Sequence, residues 1–239
     1  MDLEEETPSF MNGSAAVAAS SAMPAEDEAM TPAEVVERLE TKWRNEKQSP
    51  ELQGHAFVLV DCVIDQIQAM ERNLERNAHS RRLALRTEMH RMELDRIRFV
   101  LTDYLRCRLQ KIEKFVFHAI RTDDDLVSKG LEAKMSEEER KFADQYSASL
   151  RRYLQDTLLD QLPSNLRKLE DWDNKVPAPS LDRYVFARID KDCPSVTVDD
   201  GGSQDGLEDE PIDLPQGAKF LLPYQAVKSK LRDGSVALL

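Results

Sequence analysis

Four histidines (His55, His79, His90, His118) and three cysteines (Cys62, Cys107, Cys193) are the residues with which this chain could bind a metal or attack a substrate, and their spacing argues against both. His90 and Glu93 would present two ligands one helical turn apart, but a metal needs three or four ligands and no second pair accompanies them. The cysteines are far apart and form no CxxC pair, so neither a zinc site nor a disulfide framework is expected. Cys107 and His118 fall on one predicted helix, and their separation of about 16 Å along its axis prevents them from acting as nucleophile and base. Gly201-Gly202 lies in an acidic loop that would repel a phosphate, and no P-loop or GxGxxG pattern occurs. The carboxylates are too numerous to single out an acid–base pair. No catalytic residue, cofactor or metal is assigned, and the chain is expected not to be an enzyme.

The other chemically suggestive feature is a basic stretch. Arg81, Arg82, Arg86, Arg91, Arg96, Arg98, Arg106, Arg108, Lys111 and Lys114 form a run of ten cations, interleaved with five acids: Glu88, Glu93, Asp95, Asp103 and Glu113. Phosphate binding calls for uncompensated positive charge. Mixed signs on a helix instead suggest a solvated face with ion pairs. A DNA-contacting face is kept as the alternative.

The elements that must position these residues are mostly helices. Thr31-Pro32-Ala33-Glu34 is a capping box with proline at the first helical position, and Val35, Leu39 and Trp43 give that helix one apolar face. A second helix is predicted from about Gly54 to Ala78 with Phe57, Val60, Ile64, Ile67 and Leu74 on its stripe. The third runs from about Ser80 to Ile120 with an apolar set of Met89, Met92, Ile97, Val100, Leu101, Tyr104, Leu105, Leu109, Ile112, Phe115, Val116 and Ala119. Unbroken, it would be about 60 Å long. Either it breaks, or part of it packs on something outside the chain. A charged connector is expected over 122–135. Ser136 and Glu139 form a second capping box, opening a helix with Phe142, Tyr146, Leu150, Tyr153, Leu154 and Leu158 that Pro163 ends. A short turn or helix is expected over Asn165–Trp172.

Composition changes at residues 173–180, where Pro177 and Pro179 suggest an extended linker. Beyond it the period shortens towards two. Strands are predicted over 182–189, 195–198, 212–214, 219–222 and 235–239, with a short helix from Pro223 to about Leu231. The fold expected is mainly α: a helical bundle domain with a long central helix over 31–172, joined to a small β-rich domain over 181–239. Residues 1–30 hold seven acids and no Lys or Arg, and are expected to be a disordered acidic tail. The formal charge of −12 thus comes largely from the tail and from the acidic loop 199–213, while the central segment is locally basic. No apolar run approaches the ~20 residues that span a bilayer. An acidic N-terminus is also unlike a secretory or mitochondrial signal. No membrane association is expected.

Residues 92–115, MELDRIRFVLTDYLRCRLQKIEKF, resemble the signature stretch of the Sld-five family of GINS complex subunits. Residues 31–51 (TPAEVVERLETKWRNEKQSPE), 162–169 (LPSNLRKL) and 181–189 (LDRYVFARI) are similar to it as well. The resemblance implies a nuclear, non-catalytic scaffold subunit of a heterotetramer with three Psf subunits. It also implies that the tetramer joins the MCM hexamer and the Cdc-forty-five protein in the replicative helicase, acting in initiation and elongation of DNA replication. Tyr104, Leu105, Arg108, Lys111, Ile112, Phe115, Val236, Leu238 and Leu239 are the residues expected at the partner interface.

Overall fold

The computed structural model describes residues 30–77, 83–163, 177–196 and 212–239. The first helix, α1 (Pro32–Gln48), begins at the expected capping box. The Thr31 hydroxyl accepts from the Glu34 N–H at 3.4 Å, and the Glu34 carboxylate accepts from the Thr31 N–H at 2.7 Å. Val35 and Leu39 of α1 pack against Val60, Val63 and Ile67 of α2 (Phe57–Asn77) and against Ile97, Val100, Leu101 and Tyr104 of α3 (Ala84–Lys114). Each of these side chains contributes about 1.5–3 kcal/mol on full burial, so the three helices hold one another.

Two details of α2 differ from expectation. The helix starts at Phe57 rather than Gly54, and Phe57 and Ile64 face solvent. The exposed Asp61 and Asp65 share the side of Phe57 and Ile64, and their hydration sets that side outward.

The long third helix breaks. Phe115, with φ −125° and ψ 35°, interrupts it between α3 and α4 (Val116–Ser128). Helix then continues past Ile120 through residues expected to form a connector. At the end of α4, Gly130 takes φ +70°, the Leu131 N–H reaches the Leu126 carbonyl and the Gly130 N–H reaches that of Val127. This is a Schellman turn, in which a left-handed glycine satisfies the last carbonyls. Residues 131–136 lead back to α5 (Glu137–Thr157), which opens on the expected Ser136/Glu139 capping box. A second core joins Leu52, Ile112, Val116, Ala119, Met135 and Ala143. Phe142, Tyr153 and Leu158, assigned to the apolar face of α5, are exposed. A 3-10 turn, Leu159–Gln161, ends the bundle before Pro163. The turn expected over 165–172 lies outside the described residues, as do His79, Arg81, Arg82 and the acidic loop.

The C-terminal segment forms two small antiparallel sheets. Strands β1 (Tyr184–Ile189), β4 (Lys219–Pro223) and β5 (Val236–Leu238) make one in the order β4-β1-β5, while β2 (Cys193–Val196) pairs with β3 (Ile212–Leu214). Helix α6 (Tyr224–Arg232) lies between β4 and β5, and Tyr224, Val227 and Leu231 join the strand residues Val185, Ala187, Ile189, Leu214 and Leu238 in a third core. A second Schellman turn, with Gly234 at φ +69° and the Ser235 N–H on the Lys230 carbonyl, turns the chain from α6 into β5. Val236, Ala237 and Leu238 are all buried, and Leu239 is partly exposed. The β5 edge is covered from outside the sheet: the Leu238 N–H donates to Asn45 Oδ1 of α1 at 2.8 Å. Covering an edge in this way prevents unwanted strand pairing.

Candidate functional site

The interior of the bundle holds a charge cluster that the basic stretch of α3 makes possible. Tyr104, Arg108 and Ile112 recur at four-residue steps, so Arg108 projects into the core with its apolar neighbours and is 1% exposed. Its guanidinium forks onto Glu139 of α5, Nε to Oε1 at 2.6 Å and an Nη2 hydrogen bond to Oε2 at 2.8 Å. It also donates to Glu46 of α1 at 3.2 Å and to the carbonyls of Gln53 and Lys134 at 2.9 and 2.8 Å. All the donor nitrogens are thus used, and the Tyr104 ring lies 5.8 Å from the guanidinium carbon. One turn on, Lys111 Nζ reaches Glu46 Oε1 at 2.7 Å, Ser49 Oγ at 2.9 Å and the carbonyls of Glu46 and Glu51.

The electrostatics follow from burial and pairing. Burial works against the charged form of Arg108, but the Glu139 hydrogen bond and the charges of Glu46 and Glu139 more than offset it, holding its pKa above the ordinary value. For Glu139, burial pushes the carboxyl up. Arg108 and the Ser136 N–H outweigh that, and it stays below the usual range. Burial lowers Lys111, and Glu46 opposes this only in part.

A second cluster joins the bundle to the C-terminal sheets. Glu51, in the loop after α1, accepts from Tyr224 Oη at 2.9 Å, from Lys228 at 2.9 Å and from Lys134 at 3.1 Å. The Tyr224 hydroxyl also accepts from Gln53 Nε2 at 2.6 Å. Burial would raise the Glu51 carboxyl, but Lys134 together with Lys228 and Tyr224 brings it below its ordinary value. The Tyr224 phenol is pushed far up by burial and by the Glu51 charge, so it stays a donor. Every buried side-chain nitrogen and oxygen among the described residues has a partner. The arrangement fixes the elements against one another.

The expected interface residues divide by burial. Tyr104, Arg108 and Ile112 are inside the bundle, and Val236 and Leu238 are inside the C-terminal core. Lys111 is committed to Glu46, and Phe115 is half-buried at the helix break beneath Lys114. Leu105 and Leu239, both 37% exposed, are the members that reach the surface. Leu109 lies on the same strip as Leu105, and Leu85, Met89, Met92 and Phe99 form a separate exposed strip at the start of α3.

Five of the eight described cations of the basic stretch pair with carboxylates, Arg108 and Lys111 in the interior and three nearer the surface. Arg91 pairs with Glu88, Arg96 with Glu40 at 2.8 Å, and Arg98 with Glu71 and Asp95. Lys47 of α1 and the Trp43 indole N–H converge on Asp103, at 2.8 and 2.6 Å. His90 meets Glu93 at 3.8 Å on the open surface, and no cluster of three metal-ligating side chains occurs among the described residues. No described helix is long and apolar enough to cross a membrane. The residues missed by sequence reading are Glu46, Glu51, Tyr224 and Lys228. Their partners lie far away along the chain, and the only local signal is Glu46, seven residues after Leu39 on the buried side of α1.

Comparison with known proteins gives two family matches. Residues 62–158 match the Sld5 model, GINS complex protein helical bundle domain, and residues 179–239 match the C-terminus model of DNA replication complex GINS protein SLD5. The chain is 39% identical over 214 residues to the Homo sapiens DNA replication complex GINS protein SLD5, covering 90% of this chain and 93% of that one. The Arabidopsis thaliana protein of the same name is 31% identical over 210 residues, 85% of this chain and 90% of its own length. A Dictyostelium discoideum relative is 26% identical over 207 residues.

Proposed function

This chain belongs to the Sld5 family of GINS complex proteins, which act in DNA replication, and from that premise we propose that it works by packing rather than by chemistry. In this reading it is a non-catalytic scaffold subunit of a nuclear tetramer with three Psf subunits. Through the tetramer it serves the replicative helicase, alongside the MCM hexamer and the Cdc-forty-five protein. The observation that carries the proposal is the apolar surface left open on α3. Leu85, Met89, Met92 and Phe99 are 62–77% exposed and share one side of the helix, and Leu105 and Leu109 form a second strip beside the buried face. Exposed apolar residues clustered on one helix face mark a protein-binding surface.

Direct DNA contact through the basic helix is weak or indirect in this reading, because Glu40, Glu71, Glu88, Asp95, Glu46 and Glu139 already pair with five of its eight described cations. The test is co-expression with the three Psf subunits followed by affinity capture. Leu105→Asp and Met92→Asp, both at surface positions, should lose subunits while the chain itself keeps its helicity, because a bare carboxylate in a closed interface costs several kcal/mol. Full recovery of the subunits with both variants would refute the placement.

A further inference from the structure

The seam between the bundle and the C-terminal sheets opens on one side into a cleft of about 440 Å³. Lys42 of α1 and Arg232 of α6 stand on its walls, and neither has an ion-pair or hydrogen-bond partner among the described residues. Lys134 and Lys228 line it too, and both share the single carboxylate of Glu51. Glu46 on the floor is matched by Arg108 and Lys111. The mouth therefore carries Lys42, Lys134, Lys228 and Arg232 against Glu51 and Glu132, four positive charges less two negative ones. This is a local excess of two in a chain whose formal charge is −12. Leu126, Leu131 and Leu231 give the same cleft an apolar wall.

We propose that this cleft docks an acidic segment of a partner protein, one that places carboxylates against Lys42 and Arg232 and an aliphatic side chain against the leucines. The two unpaired cations are the argument. Other surface cations are unpaired as well, but these two stand beside a concave, partly apolar surface. A binding pocket combines just these parts: a concave apolar lining and a few fixed polar groups that orient the ligand. Glu51 and Glu132 in the wall tell against nucleic acid, because a regular run of phosphates could not avoid them, whereas a peptide can space its carboxylates around them. The site goes beyond the assembly reading, since it uses neither exposed strip of α3.

The test is fluorescence anisotropy with a labelled Glu-Leu-Asp-Glu-Leu-Asp peptide and the full chain purified with its co-expressed subunits. Saturable binding is expected, weakened by roughly fivefold or more in the Lys42→Ser/Arg232→Ser double variant, with subunit recovery and Tm unchanged because both side chains are unpaired. Glu132→Gln should tighten binding. No saturable binding would overturn the proposal, as would weakening below about fivefold. Equal binding of the peptide with serine in place of leucine would do the same, and so would displacement by oligothymidylate of equal charge, because the contact would then be undirected attraction. A failure of assembly would show separately in the subunit recovery of the unmutated chain.

Discussion

Replacing Arg108 by methionine keeps much of the side-chain volume and removes the one cation shared by Glu139 and Glu46. Five hydrogen bonds go with it, at 2.6, 2.8, 3.2, 2.9 and 2.8 Å, the first two being the fork onto Glu139. Compensation is partial. Lys111 still reaches Glu46 at 2.7 Å, and the Ser136 N–H still donates to Glu139 at 2.9 Å. Breaking a buried pair by removing one partner costs roughly 3–5 kcal/mol, mostly because a charge is left uncompensated. For a folded unit of this size that corresponds to a fall in Tm of around 10 °C.

The pH dependence gives a sharper signature. In the parent, Glu139 is held below its usual pKa, so its contribution is present above the ordinary carboxylate range and is lost as pH falls through the lowered value. Without Arg108, burial dominates and the Glu139 pKa rises above that of the unfolded chain. The penalty then exists only while the carboxyl is ionised, and acid relieves it. Urea unfolding of the full chain at pH 7.5 and pH 5.5 should therefore show the variant closer to the parent at the lower pH. Adding Glu139→Gln should recover part of the loss at pH 7.5. A loss below about 1 kcal/mol, the worth of an exposed pair, would refute the reasoning, as would a loss that does not change with pH.

Other perturbations probe the remaining links. Tyr224→Phe removes the hydrogen bond to Glu51 and the acceptor for Gln53; it should cost about 1–3 kcal/mol and speed amide exchange in α6 and β5 more than in α2, as read by hydrogen-exchange mass spectrometry. Gly234→Ala meets no steric neighbour but must hold φ +69°, so a loss of about 1–2 kcal/mol in thermal melting is expected from the backbone alone. Deleting residues 236–239 removes the buried Val236 and Leu238, worth roughly 1.5–3 kcal/mol each, and should unfold the C-terminal sheets while circular dichroism keeps most of the helical signal. Arg98→Glu breaks exposed pairs only, so its stability loss should stay within about 1 kcal/mol, and filter binding should show little change in DNA affinity.

The features legible in the sequence were those fixed locally. Both capping boxes involve residues three apart, and both formed, since nothing distant has to agree for Thr31 or Ser136 to close on its glutamate. Four of the strands and α6 were readable for the same reason, with Pro223 and Gly234 punctuating them, whereas β2 starts two residues before the expected 195, at Cys193, and residues 197–198 lie outside the described ones. The stripe of α2 was misread because Phe57–Ile67 is apolar on more than one side, and only the aspartates at 61 and 65 distinguish solvent from core. The break at Phe115 has no proline or glycine to announce it. It follows the crossing, between Tyr104 and Ile112, from the core shared by α1–α3 to the one shared with α5, which is a tertiary event. The sequence places Arg108 in the basic stretch and at the partner interface rather than in the core, because charge says nothing of direction. Its register with Tyr104 and Ile112 was the available clue, but the partners Glu46 and Glu139 lie 62 and 31 residues away.

Native mass spectrometry of the co-expressed subunits separates a stoichiometric member of an assembly from a free-standing protein. A single species is expected, containing one copy of this chain and one of each Psf subunit, with Leu105→Asp and Met92→Asp shifting this chain to the free pool. A folded, monodisperse monomer that stays free when all three Psf subunits are present would contradict it.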